Sequence, residues 1–253
     1  MLRIPAAFRC ASFLIILILL ACTKTMGGSS LPVHPLQMVV VLTGSWGSAD
    51  ASLQLFERES AHTPWRAVNE ASAAVVGHNG LGWGIGLHDA PSSGAAPLKK
   101  EGDGKAPAGI FLLTAAFGYA SPEAAQWIKL PYRQATASLQ CVDDVNSEFY
   151  NQVLDTSNTP LRWKSHEEML RKDGLYKMGI VVSHNFYPPI PGRGSCIFIH
   201  IWRAASQGTA GCTAMAEPDL EGVLRWLDPA KTPVLVQLPR SEYKRYKEAW
   251  GLP

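Results

Sequence analysis

The chain has 253 residues, is 47% hydrophobic and carries a formal net charge of +2. That length can bury a substantial core as one large domain. The near-neutral balance, with no long basic run, excludes a nucleic-acid partner that follows the phosphate backbone. Its basic stretches, Lys99-Lys100 and Lys244-Arg245-Tyr246-Lys247, are short, and the second reads as the wet face of a terminal helix rather than a binding patch.

Arg3 and Arg9 form a positive n-region, and residues 13–20 are an unbroken apolar run too short for a comfortable membrane span. Leu19-Leu20-Ala21-Cys22 follows, and a small residue before Cys at this place resembles a bacterial lipobox. The expectation is a lipoprotein signal peptide over residues 1–21, with Cys22 lipidated as the first mature residue and serving as the membrane anchor. Ordinary secretion and an uncleaved anchor are the alternatives. Thr23, where Asp would retain the protein at the inner membrane, suggests by resemblance to enterobacterial sorting a periplasmic protein on the outer membrane. Residues 22–36 read as a flexible tether of Gly, Ser and Pro, and residues 37–253 as a single domain. With Cys10 in the signal and Cys22 at the anchor, Cys141, Cys196 and Cys212 remain. In an oxidising compartment three thiols suggest one disulfide and one free thiol. Cys141 and Cys196 are the natural pair if Cys212 is kept for chemistry, a link worth about 4 kcal/mol by loop closure. Two buried free thiols are the alternative.

Residues 38–43, continuous and rich in Val, suit a buried strand, and residues 52–58 alternate apolar with polar. Further strands are expected over 72–78, 84–88, 109–113, 178–184, 196–202 and 233–238. A loop is expected at 89–96, and residues 121–158 are less regular. Pro218 suits a first helical turn, after which Leu220, Val223, Leu224 and Leu227 form one apolar stripe. Ser241 is expected to cap a last helix that packs through Tyr243, Tyr246 and Trp250. The class is mainly β, with a few helices outside a sandwich or partly closed sheet.

Two residues carry the chemistry. His200 lies in the strand Cys196-Ile197-Phe198-Ile199-His200-Ile201-Trp202, and Cys212 ends the turn Gly208-Thr209-Ala210-Gly211. A strand, a loop and a returning turn can bring imidazole and thiol together. Thiol catalysis needs that pairing, because the imidazole takes the proton and the sulfur attacks an acyl carbon. Gly211 allows a tight turn, with neighbouring N–H groups as oxyanion donors. The same spacing also fits a buried thiol and a core histidine, so spacing alone leaves both open. The glycine-rich residues 77–84 lack a following Lys-Ser/Thr and read as turns between strands. His-Glu-x-x-His is absent and the histidines are scattered, so neither a metal nor a cofactor is expected.

Ala106-Pro107-Ala108-Gly109-Ile110-Phe111, preceded by Gly102-Asp103-Gly104-Lys105, is similar to the Thr-Pro-x-Gly-x-Phe entry strand of YkuD-type L,D-transpeptidase domains. His200 followed by Thr209-Ala210-Gly211-Cys212 resembles that family's His, spacer and Ser/Thr-His-Gly-Cys signature. The two stand in the right order within residues 99–238. The resemblance implies a β-sandwich domain in which Cys212 is the nucleophile and His200 its base, acting on peptidoglycan stem peptides through a thioester. Ala210 replaces the signature histidine, and Cys212-Thr213-Ala214-Met215 lacks the Arg or Asn usual after the cysteine. The acceptor, amine or water, is therefore left open.

Around the pair, Thr209 and Gly211 are expected to shape the substrate site. Trp202 and Arg203 follow the base, with Arg203 expected to hold a stem-peptide carboxylate, the alternative being an ordinary surface arginine. His184 is expected to bind donor peptide, the alternative being a strand-end histidine bonded to a carbonyl. Asp143 and Asp144 suit acid–base work or attraction of an amine, and equally a solvated Asx turn. From a different class comes a non-catalytic wall-binding lipoprotein. No protein partner is specified.

Overall fold

The computed structural model describes residues 33–89, 96–157 and 162–253. The expected signal peptide, Cys22 and most of the tether lie outside them, as does most of the loop at 89–96.

The first strands, β1 (Gln37–Thr43) and β2 (Asp50–Glu57), pair antiparallel with Val39 opposite Leu55. Short strands β3 (Arg66–Ala67), β4 (Ser72–Val75) and β5 (Leu81–Trp83) precede β6 (Ala106–Gly118), the longest. Then come β7 (Tyr132–Gln134), β8 (Leu139–Val142), β9 (Val153–Asp155), β10 (His166–Glu168), β11 (Met178–Val182), β12 (Phe198–Ile201) and β13 (Thr213–Met215). Helix α1 (Glu217–Trp226), β14 (Val234–Pro239) and helix α2 (Arg240–Tyr246) end the chain.

The chain is mainly β with two α-helices among the described residues. Its large sheet runs β1-β14-β6-β11-β12-β13-β4-β2, and β2 pairs back with β1, so eight strands close on themselves. Closure leaves this ring without a free edge and makes a barrel-like core where the sequence suggested a sandwich or partly closed sheet. Val39, Val41, Leu53, Ile110, Ile180, Ile199 and Leu235 fill it and are wholly buried. Strands β10-β8-β9 form a separate small sheet.

Strand β12 explains how the two sheets meet. Its side chains alternate with period two. Ile197, Ile199 and Ile201 join the main core, whereas Cys196 and Phe198 join a second cluster with Phe117, Cys141, Met169, Tyr176 and Cys212. Phe117, Tyr176 and Phe198 make a triangle of edge-on rings with centroids 5.1–5.6 Å apart. Such pairs contribute about 0.5–1.5 kcal/mol each beyond their buried area. Cys141 of β8 is bonded to Cys196, S–S 2.10 Å, across 55 residues.

Three expectations need correction. Residues 84–88 are not a strand; the regular pairing is at Leu81–Trp83. Gly86 instead lies so close to β6 that a Cβ there would stand 2.2 Å from the Ile110 carbonyl. Ser241 is not a cap: it falls inside α2, whose cap position is Pro239 with no side-chain bond. Tyr246 and Trp250 do pack as expected, stacked at 4.5 Å with Trp83 edge-on to both. The irregular stretch at 121–158 contains β7, β8 and β9, each only three or four residues long and too short to show a period.

Candidate active site

Parallel pairing places the thiol. Strands β12 and β13 run side by side, with Ile199 opposite Thr213 and His200 opposite Ala214. The crossover between them must therefore return the chain to the start of β12. Cys212, one residue before β13, lands beside Phe198. Its Sγ accepts the Phe198 N–H at 3.4 Å and donates to the Cys196 carbonyl at 3.6 Å. His200 is two residues beyond Phe198 on the same face, about 7 Å further along the strand. Both side chains line one cavity of about 450 Å³. At 6% and 7% exposure, His200 and Cys212 can be reached only through it.

The hydrogen bonds set the protonation states. His200 Nδ1 is 2.8 Å from the Ile201 carbonyl, which can only accept. Nδ1 therefore carries the hydrogen, and Nε2 keeps the lone pair that a base needs. Burial brings His200 down to about 4. Burial, then the charge of Glu167, pushes the Cys212 thiol up to about 12. The resting pair is thus neutral thiol and neutral imidazole. Any proton transfer between them belongs to the step in which sulfur attacks.

The nucleophile turn is clamped from within. The Thr209 hydroxyl donates to the Cys212 carbonyl at 2.6 Å and accepts the Gly211 N–H at 3.1 Å. Thr209 and Gly211 both line the cavity, but this hydroxyl and this N–H are used inside the turn, so the Gly211 N–H is not an oxyanion donor here. Gly208 packs against the neighbouring backbone, where a Cβ would stand 2.6 Å from His78 Cα. Beyond the thiol, Thr213 Oγ1 donates to Gln237 Oε1 at 2.6 Å, and Gln237 Nε2 donates to the Pro107 carbonyl at 2.9 Å. This buried relay joins the entry strand to the thiol turn. Gln237 is invisible to sequence reasoning, because a lone Gln in an apolar strand announces no partner.

Of the other expected residues, Trp202 and Arg203 line the cavity. Arg203 shares Asp173 with Arg171, at 3.1 and 2.6 Å. His184 is a correction. It is 1% exposed, its Nδ1 accepts the Ile85 N–H and its Nε2 donates to the Arg193 carbonyl. With both nitrogens used in the interior and no part in lining the cavity, it is a core histidine. Asp143 lines the cavity, whereas Asp144 caps a turn by accepting from the Asn146 and Lys164 N–H groups.

Several lining residues escaped the sequence reading. Lys99, 3% exposed, donates to Asp103 at 2.6 Å. Glu101 accepts from Tyr150 at 2.5 Å and Ser195 at 2.7 Å. Glu167 accepts from Tyr176 at 2.5 Å. None stands in a motif, and Glu167 lies far along the chain from the other two. Among the described residues, no group of three His, Cys, Asp or Glu side chains is placed to hold a metal ion.

A closed β-sheet carrying a buried thiol and an oriented imidazole in one charged cavity has the form of a cysteine acyl-transfer centre. The chain belongs to the YkuD family, the L,D-transpeptidase catalytic domain, whose profile matches residues 92–236, more than half of its length. Neither a curated protein nor a solved structure matches it.

Proposed function

We propose that the protein is a cysteine-dependent L,D-transpeptidase of peptidoglycan stem peptides. The observation that carries this reading is the placing of Cys212 and His200 in one cavity with His200 Nε2 left as the basic nitrogen. His200 takes the Cys212 proton as sulfur adds to the carbonyl before the terminal D-residue. It returns that proton to the leaving amine as the C–N bond breaks, leaving a thioester. An amine of a neighbouring stem then displaces the sulfur, giving a 3–3 cross-link or transfer to another amine. Arg203 and Trp202 at the rim are suited to the carboxylate and apolar parts of the donor. Lipidation at Cys22 and the tether would hold that domain in the periplasm at the outer membrane, within reach of the wall.

Incubation with a tetrapeptide muropeptide, followed by mass spectrometry of the products, tests this. Free D-alanine with cross-linked dimers is the expected result. Tripeptides without dimers would make water the acceptor and the protein an L,D-carboxypeptidase. Unchanged muropeptide would leave a wall-binding protein.

A further inference from the structure

Aminolysis of a thioester has a proton surplus that one imidazole does not absorb. The acceptor arrives as R′–NH₃⁺ and leaves as R–CO–NH–R′, so its nitrogen loses two protons. One ends on the Cys212 sulfur, which His200 can supervise; the other needs a second base.

The cavity that His200 lines contains a group of that kind, Glu167. Strand β10 pairs with β8, Glu167 facing Cys141. Alternation sends His166 and Glu168 outward together, where their side chains pair at 3.0 Å, and turns Glu167 to the cavity. Its Oε2 accepts the Tyr176 hydroxyl at 2.5 Å. Tyr176 is 3% exposed, with its ring edge-on to His200 at 5.1 Å. Tyr176 and Cys212 pack in the same buried cluster. The phenol therefore holds Glu167 and shares its packing with the nucleophile.

Glu167 differs from its acidic neighbour. Two hydroxyls from Tyr150 and Ser195 hold Glu101. The nearby Arg171 is bound at Nε and an Nη by Asp173, at 3.0 and 2.6 Å, so it is committed elsewhere. Burial foremost raises the proton affinity of Glu167 despite the Tyr176 bond, and the Asp143 charge adds to this. A carboxylate of raised basicity lining the same cavity as the sulfur is suited to deprotonate an ammonium ion.

We propose that Glu167, oriented by Tyr176, is the second base of the transfer step and takes the surplus proton from the acceptor ammonium. The freed amine attacks the thioester carbon, the C–S bond breaks, the sulfur recovers a proton through His200, and Glu167 releases its proton to solvent. This rests on the transpeptidase reading above, and the test separates the two. Acylation by the tetrapeptide donor is followed as D-alanine release. Transfer is followed with two acceptors: a primary amino acid amine, protonated at pH 7, and hydroxylamine, which is already neutral there. Glu167→Gln is expected to cut transfer to the first about 100-fold and to hydroxylamine less than about tenfold. Tyr176→Phe, which keeps the ring packing, is expected to show the same bias more weakly. Equal losses with both acceptors, or no loss with either, would overturn the role of Glu167. A wild-type protein that releases no D-alanine would instead overturn the transpeptidase reading.

Discussion

The closed sheet and the small outer sheet face the same cavity but contribute different things. From the closed sheet come Cys212 and His200, placed by parallel register on or next to strands whose other face is packed into the hydrophobic core. From the outer sheet and its flanks come charge and hydroxyls: Asp143 and Glu167, with Arg171 and Tyr176 just beyond. Cys212 and His200 sit on or next to strands whose backbone is fixed by pairing within the closed sheet. The charged groups sit on or beside short strands, one of which is fastened to the closed sheet's side by a disulfide. Rigid support for the nucleophile and a separable layer for the charges is the division this fold makes.

The sharpest break of that comparison is Cys212→Ala, which is expected to lower turnover by at least about 1000-fold while the thermal midpoint changes little. Retained D-alanine release would remove the closed sheet from the chemistry. Next comes the fastening of the outer sheet. Cys141→Ala opens a 55-residue loop and is expected to cost about 4 kcal/mol in denaturant unfolding. Ile199→Ala, in the core face of β12, is expected to cost about 3 kcal/mol by leaving a cavity. If Cys141→Ala were silent, the two sheets would be held together by packing alone.

Acid tests the interior. His88, His184 and His200 are each brought down to about 4 by burial, below the ordinary value of 6.5. They fold neutral, so the unfolded chain binds protons first as pH falls. Stability is full above about pH 6.5 and is lost toward pH 4, by up to about 3 kcal/mol per histidine. Urea midpoints that do not fall between pH 7 and pH 5 would contradict this. The smallest effect is expected at the rim. Arg203→Ala breaks a half-exposed pair with Asp173 and should cost under about 1 kcal/mol of stability, while raising KM for the donor with little change in kcat.

Much of the closed sheet could be read from the chain. The Val run of β1, the alternation in β2 and the apolar spacing of α1 each state a period over enough residues to be recognised. That the thiol and the imidazole share a cavity was legible because one motif, His200 to Cys212, carries both. The outer sheet was not, because β8, β9 and β10 are three or four residues long and their partners are far apart in sequence. Glu167 has no signature at all: its meaning comes from facing Cys141 across a strand pair and meeting Tyr176 from another segment. His184 shows the opposite error. A histidine at the end of a strong strand looked available, but the structure uses both its nitrogens on backbone groups.

The central claim is that the buried, protonated thiol of Cys212 becomes the acyl carrier when a substrate carbonyl enters the cavity. Intact-mass measurement of the folded protein after exposure to a carbapenem addresses it directly. One adduct per chain, mapped to Cys212 and absent from Cys212→Ala and His200→Ala, is expected. An unmodified thiol in folded protein, or an adduct that forms equally well without His200, would contradict it.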